Sequence, residues 1–339
     1  MWNRGARRRI GPSAYNFKSD ETGMVSQARL GAVVVSHDSA DDLPACLTAL
    51  EAADGLGRIL VVDNASRDGS AERARAMSAE VVEEEVNSGF SGGCNRGFRE
   101  LASSVDHLAV LNPDVEVSPD CLARCVQALE EDPHLAAVAP RLMRTDGQTV
   151  DSVGQVLHPL TFEVRDRGYG RPMTAELLET RSVLAPCGAL AVFRRAALEE
   201  TSDGPGPWAG HFFCFWEDLE LGWRLRNRGW SIHTCPDAVA MHRRGGGADE
   251  GTGPLRWRRP PELEACVLTN RWMTLIRHLH PLDLAPRAPL LLLWDPAMVA
   301  AAVLRRPAVI SHVKRRWPLV LAEWRGRRRF PRRRMNELI

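Results

Sequence analysis

The sequence predicts an α/β protein with a mostly parallel, doubly wound sheet, helices on both faces and a C-terminal helical extension. Short β-branched runs alternate with helix-period segments between residues 30 and 111, and each run ends at polar residues. The length of 339 residues fits one core domain with an appendage, while 44% hydrophobic and 26% charged residues exclude a disordered chain. The eight cysteines form no CxxC pair, which favours reduced thiols over a disulfide scaffold.

Strand and helix alternate three times in the first third of the chain. The predicted strands cover 32–35, 58–62, 81–86 and 107–111, and helices begin near 43, near 70 and within 87–97. Repeated strand–helix–strand units predict parallel pairing, because a right-handed crossover returns the chain to the same edge of the sheet.

Polar residues follow all four predicted strands. These are Ser36-His37-Asp38, Asp63-Asn64, Asn87 and Asn112-Pro113-Asp114. Ligands of parallel sheets bind beyond the carboxyl ends of the strands. No G-x-G-x-x-G follows the first strand, so the acids point to ribose contacts and a divalent cation rather than to an NAD-type phosphate loop.

Six short segments occur in one order between residues 30 and 245. They are VVDNASRDGS (61–70), NSGFSGGCNRG (87–97), LNPDV (111–115), Gly188-Ala189 with Arg194-Arg195, FWEDLE (215–220), and His242. Together they resemble the inverting, family-2 type of GT-A glycosyltransferase, especially its bacterial rhamnosyltransferase-like branch. The resemblance implies a GT-A catalytic domain over 29–250, a flexible leader over 1–28 and a basic helical extension over 251–339.

The resemblance also implies a donor site. Asp63 matches the acid that contacts the nucleotide, and the other expected donor contacts are Ser36, Asp38, Asn64, Gly89, Asn95 and Asn112. Asp114 is the expected metal ligand, with Asn112 in place of the first acid of a D-x-D motif. His242 is the expected second ligand, which favours Mn²⁺ or a site that accepts Mg²⁺ or Mn²⁺. A surface histidine beside two arginines is the alternative interpretation of His242.

Glu217 and Asp218 follow an aromatic run, Phe212, Phe213, Phe215 and Trp216. Adjacent charge and partial burial both raise the pKa of a carboxyl group, which suits a general base near neutral pH. The resemblance implies that Asp218 is the base and that Glu217 orients or binds the acceptor. An acidic helix start explains the same residues, and both interpretations are compatible. The helix that follows is predicted to hold most of its arginines (224, 226 and 228) in solvent.

The C-terminal segment combines apolar helices with dense positive charge. Residues 301–339 carry 12 Lys/Arg and 2 Asp/Glu, a local charge of +10, which leaves 32 basic and 41 acidic groups, about −9, for the rest. Apolar helices with tryptophan and arginine fit an anionic membrane surface, with a solvated tail or a subunit contact as alternatives. We recognise no aromatic stacking platform in this segment, so nucleic-acid binding is not expected. The apolar run 289–304 contains Asp295 and Pro296 and falls short of the ~20 residues of a spanning helix.

The sequence therefore predicts a metal-dependent inverting glycosyltransferase that uses a nucleotide diphosphate sugar. Resemblance alone makes dTDP-rhamnose the first donor and a cell-envelope polysaccharide or lipid-linked hydroxyl the first acceptor. A secondary-metabolite acceptor and a non-catalytic nucleotide-sugar-binding scaffold are the alternatives. No apolar segment follows the arginine-rich start, so the expected location is cytoplasmic, peripheral on the inner face of the plasma membrane. The oligomeric state stays open.

Overall fold

The computed structural model describes residues 29–77, 79–244 and 259–338. The predicted leader and the predicted boundary at 250 lie outside these residues. The strands are β1 Leu30–Ser36, β2 Leu56–Asp63, β3 Glu80–Glu83, β4 His107–Leu111, β5 Val115–Val117, β6 Leu135–Arg144, β7 Val150–Ser152, β8 Gln155–Leu157, β9 Val164–Asp166, β10 Leu190–Arg194 and β11 Ser231–His242. The helices are α1 Leu43–Glu51, α2 Ser70–Ala76, α3 Gly89–Leu101, α4 Cys121–Glu131, α5 Arg195–Thr201, α6 Glu217–Asn227, α7 Pro261–His278, α8 Pro281–Leu284, α9 Ala288–Arg305 and α10 Ala308–Gly326.

The main sheet has the strand order β3-β2-β1-β4-β10-β6-β11-β5, with β7 beside β6 and a separate β8–β9 hairpin. The expected parallel pairing holds for β3-β2-β1-β4 and for β6–β11. It fails at β10, which is antiparallel to both β4 and β6. Leu190 pairs with Leu111, so the chain enters β10 at the edge where β4 ends. The third strand also ends earlier than predicted, at Glu83.

Both faces of the sheet are buried, as a continuous run of apolar residues in β1 requires. Ala32 and Val34 pack into one hydrophobic cluster, and Val33 and Val35 into the cluster on the other face. Helix α3 lies close against the second face, because a Cβ at Gly97 would stand 2.3 Å from Val33 Cγ1. This close packing fixes the start of α3 beside the carboxyl ends of β1 and β2.

The C-terminal helices share a core with α6. Phe212 and Trp223 pack in one buried cluster with Met273 of α7 and Val320 of α10. The prediction that the α6 arginines lie mostly in solvent is wrong for two of the three, since Arg224 is 0% exposed and Arg226 is 8% exposed. A helical pattern cannot show this burial, because Arg224 bonds the carbonyls of Thr201 and Pro207, and Arg226 bonds Ser182, all on other segments of the chain.

The expectation that the apolar run 289–304 is too short for a spanning helix is also wrong. Within the described residues, helical structure from Pro281 to Arg305 forms one 25-residue stretch whose apolar window has a mean hydropathy of 1.5. Its length and composition therefore meet those of a spanning helix, and Pro296 lies inside α9 without ending it. Only 11% of that window is buried in the protein.

A buried ionic network joins α6 to α7 and α10. Glu220 Oε2 lies 2.9 Å from Arg224 Nη2, and Glu220 Oε1 lies 2.9 Å from Arg277 Nη1 and 2.8 Å from His278 Nε2. Arg277 also donates two hydrogen bonds to Glu323, at 2.8 and 2.6 Å. Burial opposes ionisation of Glu323, but its bonds to His211 and Arg277 prevail and lower its pKa from 4.5 to about 2.

Glu323→Gln tests this network through acid denaturation. A carboxyl whose pKa is lowered by folding stabilises the folded state above its unfolded pKa, and that contribution is lost as the pH falls through the folded pKa. We expect the variant to lose about 3 kcal/mol at pH 7, the cost typical of breaking a buried ion pair. Its unfolding free energy should also fall less steeply than that of the wild type between pH 4.5 and 2. Urea titrations at several pH values measure both effects. Glu337→Gln, at an exposed carboxyl, is the control, and equal acid slopes for wild type and Glu323→Gln would contradict the prediction.

Candidate active site

An acidic cleft of about 480 Å³ lies at the carboxyl ends of β1, β2 and β4. Its lining includes Asn112 and five carboxylates, those of Asp38, Asp41, Asp42, Asp68 and Asp114. Burial and the neighbouring Asp114 carboxylate raise the pKa of Asp42. So dense a negative charge repels an anionic ligand unless a cation accompanies it.

Two buried polar atoms at the strand ends lack partners. Asp63 Oδ2 accepts a hydrogen bond from Ser66 N at 3.0 Å. Among the described residues, Asp63 Oδ1 and Ser36 Oγ have no hydrogen-bond partner, although Asp63 is 3% and Ser36 0% exposed. Buried polar atoms are nearly always paired, so these two atoms are suited to bind a ligand.

The other predicted donor residues fall into two groups. Asp38 and Asn112 line the cleft; Asp38 is exposed, has a φ of +48° and accepts a hydrogen bond from Arg67 N at 2.7 Å. The amides of Asn64 and Asn95 are instead bonded to neighbouring backbone.

Those hydrogen bonds hold neighbouring backbone segments together. Asn64 accepts from Ser88 N at 2.8 Å and donates to Gly89 O at 2.9 Å. Asn95 exchanges two hydrogen bonds with the backbone of Trp208, at 2.8 and 2.9 Å. Gly89 has a φ of +74°, and a Cβ there would stand 2.3 Å from Phe213 O. Direct donor contact by these three residues stays a prediction.

Asp114 and His242 come together, although 128 positions separate them in the numbering. His242 Nε2 lies 3.4 Å from Asp114 Oδ1, and His242 Nδ1 lies 2.8 Å from Asp151 Oδ2. Burial alone would lower the pKa of His242, but its hydrogen bonds to both carboxylates raise that pKa to about 9. His242 is 8% exposed and is therefore not the surface histidine of the alternative interpretation.

Once His242 has lost its ring proton, as metal binding requires, a carboxylate beside an imidazole fits Mn²⁺ or a site shared with Mg²⁺. Within the described residues, no group of three or more His, Cys, Asp or Glu side chains is arranged to hold a metal ion. Two protein ligands match a cation that substrate phosphates help to bind, which is how Mg²⁺ is commonly held at nucleotide sites. The donor set therefore fits a cation bound jointly with a diphosphate.

Polar side chains continue from this pair toward Asp218. Asp151 is fully buried and also accepts a hydrogen bond from Arg244 Nε. Arg244 Nη2 lies 4.0 Å from Asp166 Oδ2. Restricted hydration raises the pKa of Asp166 to about 6, and the Asp218 carboxylate contributes to that rise.

Asp218 stands at the start of α6, and three N–H donors hold its carboxylate. Oδ2 accepts from Gln155 Nε2 at 2.8 Å and from Gly188 N at 2.9 Å, and Oδ1 accepts from Leu219 N at 2.7 Å. Burial raises the pKa of Asp218 above its usual value, and these hydrogen bonds limit the rise. The carboxylate is thus fixed in orientation and more basic than one in water.

Glu217 is 5% exposed, and no described residue bonds its Oε2. Burial, and then the neighbouring Asp218 charge, raise its pKa well above the usual value. A raised pKa favours the protonated form of a carboxyl group, and in that form the group can donate a hydrogen bond.

The turn that precedes α6 has a strained backbone. Phe213, Phe215 and Trp216 have φ values of +68°, +65° and +70°. Cys214 N donates to Phe212 O at 2.8 Å, which closes a γ-turn at Phe213. Positive φ costs a non-glycine residue about 1–3 kcal/mol and clusters at functional sites.

Sequence reasoning missed Asp151, Gln155 and Asp166. They come from the short strands β7, β8 and β9. None belongs to the six segments of the resemblance. A polar residue in a three-residue strand gives no periodic signal that would distinguish it from a loop residue.

With this geometry in place, comparison with known proteins decides the family. The family described as glycosyl transferase family 2 matches residues 32–202, half of the chain. The chain belongs to glycosyl transferase family 2. It is accordingly a glycosyltransferase, as its homologues are.

Two curated relatives of this glycosyltransferase are named transferases. The N-acetylglucosaminyl-diphospho-decaprenol L-rhamnosyltransferase of Mycobacterium tuberculosis is 25% identical over 205 residues, covering 54% of this chain and 66% of the relative. The match thus spans just under two thirds of the relative's length. The low-salt glycan biosynthesis hexosyltransferase Agl10 of Haloferax volcanii is 22% identical over 228 residues, covering 66% of this chain and 71% of the relative.

Solved structures confirm the fold of this glycosyltransferase. GalNAc-T7, determined with UDP, GalNAc and Mn²⁺, superposes with a TM-score of 0.58 at 14% identity, over 76% of this chain and 49% of its own. The mannosyltransferase PcManGT of Pyrobaculum calidifontis, determined with GDP-Man and Mn²⁺, superposes with a TM-score of 0.52 at 20% identity, over 88% and 86%. The predicted GT-A fold is therefore confirmed.

Proposed function

We propose that this glycosyltransferase transfers a sugar, with inversion, from a nucleotide diphosphate donor to an acceptor hydroxyl, and that Asp218 is the general base. One observation carries the proposal: contacts run from the Asp114–His242 pair through Asp151 and Arg244 to Asp166, and Asp166 pairs in the β8–β9 hairpin with Gln155, whose side chain bonds Asp218. A donor whose phosphates bind beside Asp114 and His242 would present its sugar toward Asp218.

Inverting transfer requires a base on the face of the sugar opposite the leaving nucleotide. Asp218 is suited to take the hydroxyl proton, because its N–H donors fix the carboxylate and burial raises its pKa. Burial raises the pKa of Glu217 and so favours its protonated form, which would donate a hydrogen bond to the acceptor. Asp63 Oδ1 and Ser36 Oγ are the unpaired buried atoms that would contact the nucleoside.

Asp114 and His242 would hold a divalent cation, Mg²⁺ or Mn²⁺. When bound, that cation supplies positive charge to the diphosphate leaving group. The two structural neighbours were determined with Mn²⁺, which supports this assignment. Without a cation, the five carboxylates of the cleft would repel the donor.

The name of one relative supports the donor and acceptor that we propose. A rhamnosyltransferase of a diphospho-decaprenol acceptor supports dTDP-rhamnose as donor and a lipid-linked or cell-envelope hydroxyl as acceptor. We place the reaction in the cytoplasm, at the inner face of the plasma membrane.

Asp218→Asn tests the base. The amide keeps the size of the side chain but cannot accept a proton, so we expect kcat to fall by about 10²–10⁴-fold, as for other general bases. Turnover is measured as nucleotide release from dTDP-rhamnose, UDP-N-acetylglucosamine and GDP-mannose. Each donor is tested with water and with a synthetic prenyl diphosphate N-acetylglucosamine as acceptor. Asp237→Asn, at an exposed residue of β11, is the control. Wild-type kcat in Asp218→Asn would exclude Asp218 as the base.

Asp114→Ala tests the donor site. UDP, dTDP, GDP and CDP are added with and without Mn²⁺, and melting is followed by scanning fluorimetry. At 100 times its Kd, a nucleotide stabilises the folded state by about 2.7 kcal/mol. We expect one nucleotide to stabilise the wild type only with Mn²⁺, and Asp114→Ala to abolish the effect.

The matched control for that experiment is Asp41→Ala. Asp41 lines the same cleft, but its side chain is 99% exposed. If Asp41→Ala and Asp114→Ala weaken the nucleotide effect equally, the cleft acts only through its total charge. If no nucleotide stabilises the wild type, the donor proposal fails.

The proposal includes an anionic membrane surface as a partner of α9. Leu292, Leu293 and Leu304 are 74%, 73% and 83% exposed, and a spacing of 11 residues places Leu293 and Leu304 on one helix face. The opposite side of α9 is docked, with Leu291 and Ala302 buried. Asp295 of α9 lies 2.7 Å from Arg271 of α7. A helix held in this way lies on the protein with an apolar face outward.

Helix α10 adds charge beside that apolar face. Lys314, Trp317, Leu321 and Trp324 recur at helical spacing and are all exposed, so α10 presents one mixed stripe. Other arginines of this segment are bound inside the protein; Arg332, for example, donates to Arg277 O at 2.9 Å. Exposed apolar and basic side chains side by side fit the interface of an anionic bilayer.

Leu292→Gln/Leu293→Gln tests this surface by co-sedimentation with vesicles. We expect the wild type to bind phosphatidylglycerol-containing vesicles more tightly than pure phosphatidylcholine, and high salt to weaken binding. Burial of a leucine contributes about 1.5 kcal/mol or more, so the double variant should bind at least about tenfold more weakly. Leu178→Gln, which alters a leucine 47% exposed outside the C-terminal helices, is the control. Equal binding by all three proteins would exclude α9 as the contact, and resistance to alkaline extraction would indicate a spanning helix instead.

A further inference from the structure

The C-terminal helices contact the active site at the 212–216 turn, the strained segment from Phe212 to Trp216. Asn270 of α7 is fully buried, and its Nδ2 lies 2.9 Å from Phe212 O, 2.9 Å from Cys214 O and 2.7 Å from Phe215 O. Three backbone carbonyls therefore converge on one side-chain NH2 group and share its two N–H donors.

The three converging carbonyls need a hydrogen-bond donor between them. Carbonyl oxygens directed at one point repel one another, and a buried carbonyl without a partner is destabilising. The positive φ values of Phe213, Phe215 and Trp216 persist only where surrounding contacts outweigh their cost. Within the described residues, Asn270 is the side chain that supplies this contact to all three carbonyls.

Arg316 of α10 fixes Asn270 in turn. Its Nη2 donates to Asn270 Oδ1 at 2.6 Å and to His211 O at 3.1 Å, and its Nε donates to Thr269 Oγ1 at 2.8 Å. The bond to Oδ1 sets which side of the amide is N–H, so Asn270 cannot flip without losing Arg316.

The other end of the turn determines where α6 begins. Trp216 immediately precedes α6, and its carbonyl accepts from Glu220 N at 2.8 Å. Phe213 O accepts from Ser91 N at 3.0 Å, which attaches the turn to the start of α3. Glu217 and Asp218 are the next two residues, so a shift of the turn moves both carboxyl groups.

We propose that Asn270, oriented by Arg316, is a positioning residue for the base of the transfer reaction, because it holds the 212–216 turn that sets the position of Asp218. The inference rests on the proposed function for the role of Asp218 as base. It gives the C-terminal helices a part in catalysis that is separate from any membrane contact.

Asn270→Asp is the test, because it replaces the N–H donor with an oxygen and keeps the shape. A misplacement of about 1 Å at a reacting group costs about 10²-fold in rate, so we expect kcat to fall by about that factor. The donor KM should change much less than kcat, because the turn does not line the acidic cleft and touches the predicted donor residues only at Gly89. The acid limb of the kcat profile should move to lower pH, since burial is what raises the pKa of Asp218. Turnover is measured with the same three donors and acceptors as for Asp218→Asn.

Asn227→Asp is the matched control. Asn227 is another buried asparagine between α6 and the C-terminal segment, 3.1 Å from His278 Nδ1 and bonded to Arg333 N at 3.0 Å, but it lies at the far end of α6. This variant should lose stability and keep the wild-type kcat and pH profile. Arg316→Gln, a milder change, should give an intermediate kcat if Asn270→Asp does not fold.

Hydrogen exchange gives a readout that needs no donor. Amides of residues 212–222 should exchange faster in Asn270→Asp than in Asn227→Asp, and unchanged exchange there overturns the inference. If Asp218→Asn abolishes turnover while Asn270→Asp keeps the wild-type kcat and pH profile, the positioning role fails alone. If Asp218→Asn keeps full turnover, the proposed base fails, and faster exchange in Asn270→Asp still shows that Asn270 holds the turn.

Discussion

The buried carboxylate of Glu220 constrains the active-site helix more than any other single group described here. Full burial of a charge is costly, and it is tolerated because Arg224, Arg277 and His278 surround the carboxylate. These partners lower the pKa of Glu220 well below its usual value, while burial and the Asp218 charge raise the pKa of Glu217, one turn earlier. One helix thus holds a carboxylate that binds it to α7 and, beside Asp218, a carboxyl group whose pKa is shifted in the opposite direction.

Much of the fold could be predicted from the sequence because its signals are local. The apolar run of β1 and the polar residues that follow β2 and β4 mark the buried strands and the edge where a ligand site forms. Asp114 and His242, chosen from separate motifs, lie 3.4 Å apart. The antiparallel insertion of β10 could not be predicted, since strand direction depends on where a long excursion returns to the sheet.

The remaining features depend on contacts between distant segments. Arg224 looks like a solvent-facing residue in the helical pattern, and only its bonds to the carbonyls of Thr201 and Pro207 account for its burial. Asp151 has no motif, yet it bonds both His242 and Arg244. Asn270 lies in an unremarkable helical segment, and its three carbonyl partners lie 55–58 positions away in the sequence. Periodicity describes how a residue relates to its own element and carries no information about a partner on another one.

The shared core of α6, α7 and α10 has a consequence for the order of events during synthesis. Residues 30–242 contain the whole main sheet and leave the ribosome first, so the sheet can fold while the chain is still growing. The 212–216 turn obtains its bonds from Asn270 and Arg316, and Glu220 obtains those from Arg277 and His278, only when α7 and α10 have been made. On the proposed function, a ribosome-bound chain that ends before Arg316 would hold a formed donor cleft beside a base whose supporting turn is incomplete. The proposed donor site would then be complete about seventy residues of translation before the proposed base, the span from 242 to 316.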